Sequence, residues 1–286
     1  MRRMPPESLL VRDVLDDARL HAQIATWLGR AGEPPLPGTL EFLQDLRRRP
    51  LVPGQISHQD AAFLTAFVSL IQPGAVVEIG TASGVSAAVI LAAMARSLRA
   101  RGRAPRDLIF HTIDRKETCL YDPTAPIGCN IAALVPELGA QAQVHVGVDS
   151  FALGQLVGKV LFDFAFVDGN HQHPWPLFDV LNLLPRLRDG AWILLHDVRL
   201  REIAASGQAA PDGPGFFGVE GAEILFRNWP GATAEGDNVG AVQLPNERKA
   251  LRPLVDLLSQ REFETSPTSW RNNRRQLAQA VTAAFR

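Results

Sequence analysis

The run Val76-Val77-Glu78-Ile79-Gly80-Thr81-Ala82-Ser83-Gly84 sets an apolar strand against two glycines and the start of a helix. Glycine is needed where a backbone must turn sharply or lie flush against a ligand. The spacing is Gly-x-x-x-Gly, not the Gly-x-Gly-x-x-Gly that places a pyrophosphate on a helix N-terminus. Further along, polar side chains stand at the ends of apolar runs. Asp114 follows Leu108 to Ile113, Asp149 and Ser150 follow Gln143 to Val146, Asp168 and His171 follow Phe162 to Val167, and His196-Asp197 follows Ala191 to Leu195. An imidazole three residues after a carboxylate, titrating near neutral pH, can take or orient a proton.

The elements that must position these groups are legible from apolar spacing. Residues 8–30 and 39–48 carry helical periodicity, broken by Pro34, Pro35 and Pro37, and a third helix is expected from Gln59 to Ile71. From Ala75 the pattern changes to short strands, Ala75–Ile79, Leu108–Ile113, Gln143–Val146, Phe162–Val167 and Ala191–Leu195. Helices are expected between them at Val85–Arg99, Ile127–Leu138, Ser150–Leu156 and Pro176–Leu187. Such alternation predicts an α/β fold with a doubly wound, mostly parallel sheet, whose ligands bind at the carboxyl ends of the strands. A helix at Gly221–Trp229, strand-like segments near Ala232 and at Val239–Leu244, and helices at Glu247–Ser259 and Arg271–Phe285 complete the reading. The sheet then has seven strands. The expected division is a helical N-terminal cap (1–58), a central α/β domain (59–245) and a C-terminal helical extension (246–286).

Composition limits the function. A net charge of -1 gives no field to gather polyanions, so nucleic acid is disfavoured as a partner and a small molecule fits better. The Arg47–Arg49 and Arg96–Arg106 clusters lack interleaved aromatics and read as solvated helix ends. Cys119 and Cys129 form neither a disulfide framework nor a Cys-x-x-Cys metal pair, which points to a reducing compartment or to nothing. The N-terminal residues lack the apolar core of a signal peptide, and the longest uncharged runs are broken by Pro73-Gly74 and by Gly80, Ser83 and Gly84. No membrane association is expected, and the cytoplasm is the expected location. His21, His58, His111, His145 and His173 receive no role.

The glycine motif Glu78-x-Gly80-x-x-x-Gly84 resembles the first motif of the class I S-adenosylmethionine-dependent methyltransferases. The resemblance is carried further by Asp168-Gly169-Asn170-His171, Asp179, Pro185 to Gly190 and His196-Asp197. These are similar to the methyltransferase group whose fourth strand ends in Asp-Gly-x-His and whose fifth ends in His-Asp, the family 24 type. It runs from about Gly54 to Leu244. It implies a Rossmann-like methyltransferase fold with S-adenosylmethionine held by Glu78, Gly80, Ser83, Gly84 and Asp114, the last through the ribose hydroxyls. Gly147-Val148-Asp149-Ser150 is similar to the family's Gly-Asp-Ser segment beside the adenine, with Val148 inserted. Asp149 and Ser150 are therefore either adenine neighbours or helix N-caps. Trp175 replaces the family's usual Tyr and is either a substrate wall or an aromatic packed on the core. Ala191 stands where many relatives carry a second Gly.

More distantly, the chain is similar to metal-dependent catechol-type O-methyltransferases. That resemblance implies a divalent-cation site at Asp168 and Asp197, with Val198 in place of an Asn ligand and His196 as a candidate third ligand. Oxygen ligation would suit Mg²⁺, and a coordinating His196 would favour Mn²⁺, Fe²⁺ or Zn²⁺. The expected activity is O-methylation of a small-molecule hydroxyl in small-molecule biosynthesis, with Asp168 and His171 as the catalytic residues. Alternatives are a metal-free N- or C-methyltransferase, a cofactor-binding module without catalysis, and a nicotinamide oxidoreductase, which the glycine spacing disfavours. The terminal helices are the candidate surface for a homo-oligomer.

Overall fold

The computed structural model describes residues 8–11, 16–52, 56–205, 219–264 and 270–285. Its centre is a sheet whose inner strands are buried on both faces, as expected of continuous apolar runs such as Phe162–Val167. In chain order the strands are β1 (Leu9–Val11), β2 (Ala75–Ile79), β3 (Ile109–Asp114), β4 (Ala142–Val146), β5 (Phe162–Val167), β6 (Leu187–His196), β7 (Thr233–Gly236) and β8 (Val239–Gln243). They lie in the order β1-β7-β8-β6-β5-β2-β3-β4. Pairing is parallel except that β8 runs antiparallel to both β6 and β7.

The helices are α1 (Asp17–Trp27), α2 (Thr39–Leu46), α3 (His58–Ile71), α4 (Val85–Ala100), α5 (Cys129–Leu134), α6 (Leu153–Leu156), α7 (Trp175–Leu183), α8 (Leu200–Ala205), α9 (Gly221–Arg227), α10 (Arg252–Gln260) and α11 (Trp270–Ala284). Strand alternation divides the core in two. Val76, Phe110, Phe164, Phe166 and Trp192 face one layer with α1 to α5. Ala75, Val77, Ile113, Ala165 and Ile193 face the other, with α7, α9, α10 and α11. The first layer is anchored by Trp27, Phe63, Phe67 and Trp192, whose rings meet at centroid distances of 4.9 to 6.2 Å. Among the described residues no helix is long and apolar enough to cross a membrane.

The doubly wound, mostly parallel α/β architecture agrees with the sequence reading, while several elements differ, among them α8, where no helix is expected, and β6, which begins at Leu187 and not Ala191. Among the described residues the sheet has eight strands, not seven, because Leu9–Val11 pairs with β7 instead of starting a helix. Three consecutive apolar residues satisfy both the helical and the strand period, so spacing alone could not separate them. Residues 1–7 and 12–15, also within or before the expected first helix, lie outside the described residues. The helix expected at Ile127–Leu138 shortens to Cys129–Leu134, since Val135 precedes Pro136 and leaves the helical region at φ -136°. The helix expected to reach Leu187 ends at Leu183 and tightens into a 3₁₀ turn around Pro185.

Candidate active site

The carboxyl ends of β2, β3, β5 and β6 meet in one region. Its first half is the glycine turn. Gly80 adopts φ +94°, and a Cβ at this position would lie 1.9 Å from the Asp168 carbonyl oxygen. The turn is pinned on both sides, by the Gly80 N–H donating to Ile113 O (2.9 Å) and the Asp168 N–H donating to Ile79 O (2.7 Å). Gly84, at φ +88°, precedes α4, and its hydrogen face lies against Ile131 and Gly128. The residues around Gly128 close over the loop, since the N–H groups of Gly128 and Asn130 donate to the carbonyls of Ala82 and Ser83.

Glu78 is fully buried beneath this turn. Thr112 Oγ1 donates to its Oε2 at 2.5 Å, whereas its Oε1 and the buried Ser83 hydroxyl have no hydrogen-bond partner of good geometry among the described residues. Burial pushes the Glu78 carboxyl up to about 8, and the hydroxyls of Ser86 and Thr112 offset only part of this. Buried polar atoms left over in this way are expected where a ligand completes the site. Asp114 closes the far side: its Oδ2 accepts the Ala82 N–H (2.9 Å) and its Oδ1 the Lys116 N–H (2.8 Å). The Val148 N–H donates to Asp114 O (3.1 Å), bringing Asp149 and Ser150 alongside. Both of these have structural work. Asp149 caps the turn at Ser150–Ala152 through the Phe151 N–H (3.1 Å), and the Ser150 hydroxyl accepts from Asn182 (3.1 Å).

The state of Glu78 predicts a pH dependence. Between the ordinary carboxyl value of 4.5 and about 8 the native protein holds a proton that the unfolded chain releases. Stability therefore falls as pH rises through this window, by a few kcal/mol at most. Asp179, raised by burial from 3.8 to about 7, adds the same sign over a lower range. Glu78→Gln should flatten the stability curve of the ligand-free protein, most clearly near pH 8, above the Asp179 midpoint. Thermal denaturation of both proteins across pH 5 to 9 measures this, and parallel curves would contradict a buried neutral Glu78.

The second half of the site is a cluster of carboxylates and imidazoles. His171 Nε2 lies 2.8 Å from Asp197 Oδ2 and 3.8 Å from Asp168 Oδ1. One ligand atom from each of Asp168, His171 and Asp197 falls within 4.8 Å of the others, a spacing suited to a single cation. Burial alone would lower His171, but Asp197 and Asp168 outweigh it and raise the imidazole above 6.5. Burial would raise Asp197, yet His196 and His171 hold it well below the usual carboxylate range. Both shifts favour the charged forms of the two groups.

His196 stands beside this cluster. Its Nδ1 lies 2.9 Å from Asp168 Oδ1 and its Nε2 3.2 Å from Asp60 Oδ2, so both ring nitrogens are engaged by carboxylates. Burial pulls this imidazole down, but Asp168 and Asp197 more than compensate and hold it well above 6.5. With both ring nitrogens of His196 engaged, the groups whose ligand atoms converge within 4.8 Å are Asp168, His171 and Asp197. Asn238 supplies an amide from a distant segment, donating through Nδ2 to Asp197 Oδ1 and accepting the Arg199 N–H at 3.0 Å. Val198, at the position of the missing Asn, is fully buried.

The loop carrying His171 is held from outside the sheet. A Cβ on Gly221, the first residue of α9, would lie 2.4 Å from His171 O. Glu264 Oε2 accepts the His173 N–H (2.5 Å), and the Glu264 N–H donates back to His173 O (2.9 Å). Trp175 packs on Phe178 at 5.5 Å, in the second core layer. Sequence reasoning missed Asp60, Asn238, Gly221 and Glu264. Only Asp60 had a local signal, the Ser57-x-x-Asp60 capping box before an apolar run.

Residues 77–198 match a family model described as a methyltransferase domain, Methyltransf_24. No curated protein matches the chain. Solved structures with a similar layout include an O-methyltransferase from Bacillus cereus in complex with S-adenosylhomocysteine (19% identity, 79% of this chain and 99% of that one, TM-score 0.45). Another is the O-methyltransferase TomG from Streptomyces achromogenes, involved in tomaymycin synthesis, in complex with S-adenosylmethionine (19% identity, 79% and 98% coverage, TM-score 0.43). A third is cofactor-bound Rv0187 from MTB (19% identity, 82% and 100% coverage, TM-score 0.49).

Proposed function

We propose that this chain, whose residues 77–198 are a class I S-adenosylmethionine-dependent methyltransferase domain of the family 24 type, methylates a hydroxyl oxygen of a small molecule with the help of a divalent cation. The observation that supports the reading is adjacency. The glycine turn and the carboxylate–imidazole cluster share a wall, because the hydrogen face of Gly80 rests on the carbonyl of Asp168 itself. A donor seated on the turn and an acceptor seated on the cluster would meet without any large movement.

S-adenosylmethionine supplies a methyl group already activated on a sulfonium, which leaves the protein to align the acceptor and loosen its proton. Glu78, Ser83 and Asp114 offer the polar contacts for it, and Gly80 and Gly84 the backbone clearance. A divalent cation held by Asp168, His171 and Asp197 would lower the pKa of an acceptor hydroxyl. Two carboxylates with one imidazole suit Mn²⁺, Fe²⁺ or Zn²⁺ better than Mg²⁺. The 2.8 Å contact between His171 and Asp197 also supports a second reading, in which no metal is used and Asp197 orients His171 as general base. Free thiols at Cys119 and Cys129 suit a reducing compartment such as the cytoplasm.

Titration calorimetry with S-adenosylmethionine, followed by methyl-transfer assays on phenolic and aliphatic hydroxyl acceptors with and without chelator, tests the proposal. Cofactor binding with turnover that fails in chelator and returns with Mn²⁺ is the expected result. Turnover indifferent to chelator selects the metal-free mechanism. Absence of cofactor binding overturns both.

A further inference from the structure

Asp60 lies in the first turn of α3, far in sequence from every strand end, yet it is 2% exposed and faces the site. Its two oxygens point along two separate paths. Oδ2 meets His196 Nε2 at 3.2 Å, and the other ring nitrogen of His196 meets Asp168 Oδ1 at 2.9 Å. Oδ1 accepts the Asn238 N–H at 3.1 Å, and the Asn238 side chain donates to Asp197 Oδ1. One buried carboxylate therefore stands at the head of two arms that end on the two aspartates of the candidate site. The capping box of α3 uses only the Ser57 N–H contact to Oδ2 and the Asp60 N–H contact to Ser57 Oγ. The contacts to His196 and Asn238 are additional to it.

The geometry points to Asp60 as a positioning residue that sets Asp168 through His196 and Asp197 through Asn238. The inference rests on the reading of those aspartates as the carboxylates of the reaction. An imidazole bonded at both nitrogens cannot turn about its ring axis, so Asp168 keeps one oxygen committed and presents the other. Asp197 is fixed likewise by an amide that is itself tethered at its backbone. Such outer partners orient ligating and catalytic groups, and their loss costs about 10- to 100-fold in metal affinity or activity.

The test compares wild type with Asp60→Asn and Ser57→Ala. Asp60→Asn keeps size and one acceptor oxygen but sets an amide donor in place of one of the oxygens that serve the two arms. Ser57→Ala removes the cap of the same helix together with the Ser57 Oγ bond to Asp237 Oδ2 (3.0 Å), and leaves the Asp60 contacts to His196 and Asn238 in place. Asp60→Asn is expected to bind S-adenosylmethionine within about twofold of wild type, to bind Mn²⁺ alone about tenfold more weakly by calorimetry, and to lose kcat about tenfold at unchanged KM for the cofactor. The ¹⁵N resonances of the His196 ring should move. Ser57→Ala should lower the melting temperature and leave Mn²⁺ affinity, kcat and the His196 resonances near wild type. If the two variants behave alike, or if Asp60→Asn matches wild type in kcat and in the His196 resonances, the inference is wrong. A wild type that binds no Mn²⁺ overturns the cation reading, and kcat with the His196 resonances then decides the role of Asp60.

Discussion

Gly80→Ala is expected to lose S-adenosylmethionine binding by about 100-fold or more and turnover with it. The added carbon would sit 1.9 Å from the Asp168 carbonyl oxygen and 2.4 Å from its carbon. These are backbone atoms fixed by the Asp168 N–H bond to Ile79, so neither strand can yield without shifting the other. Displacement would move the glycine turn and Asp168 together, which are the two halves of the site. Gly84→Ala should be milder, because its nearest obstacle is the Ile131 side chain at 2.7 Å, although the Gly128 backbone follows at 2.9 Å. Gly102→Ala isolates the strain of the left-handed backbone alone. At φ +68° with nothing within 4 Å, it should cost about 1 to 2 kcal/mol of stability and leave binding intact. Calorimetry with the cofactor and thermal denaturation of the three variants separate clash from strain. Wild-type affinity in Gly80→Ala would remove the turn from the cofactor site.

The sequence shows which polar side chains and glycines stand at strand ends. Glu78, Gly80, Ser83, Gly84 and Asp114 come together because parallel strands bring successive carboxyl ends to one edge, a consequence of topology that alternation of apolar runs already implies. Asp168, His171 and Asp197 come together for the same reason. The part that was not legible is the partner structure around them. His196 reads as a ligand from its place beside Asp197, but its ring is claimed by Asp60, which reaches it only because α3 packs over the end of the sheet. Asn238 sits in the β7–β8 turn after the left-handed Asp237, and nothing in its neighbours indicates that its amide faces Asp197. Contacts between residues far apart in sequence leave no spacing to read. Leu9–Val11 was misassigned for a different reason, since three residues are too few to show a period.

Asp168→Asn should lower turnover by about 100-fold or more while leaving cofactor affinity close to wild type. Asp168 is the point at which the site's functions meet: its carbonyl supports Gly80, its Oδ1 binds His196, and it lies 3.8 Å from His171 Nε2. The substitution keeps the carbonyl and the side-chain volume, so only the carboxylate is tested. In the cation mechanism the loss should not be restored by excess Mn²⁺, whereas wild type stripped by chelator should recover. His171→Ala should lower turnover comparably under either mechanism, because the imidazole is ligand in one and base in the other. His196→Asn should lose less turnover than Asp168→Asn, but about 3 to 5 kcal/mol of stability, since it strips the buried Asp60 of its charged partner. Paired measurements of kcat and denaturation midpoint on the three variants distinguish a reacting carboxylate from a structural one. An Asp168→Asn protein that turns over at the wild-type rate, in chelator or out of it, would move the reaction away from this cluster.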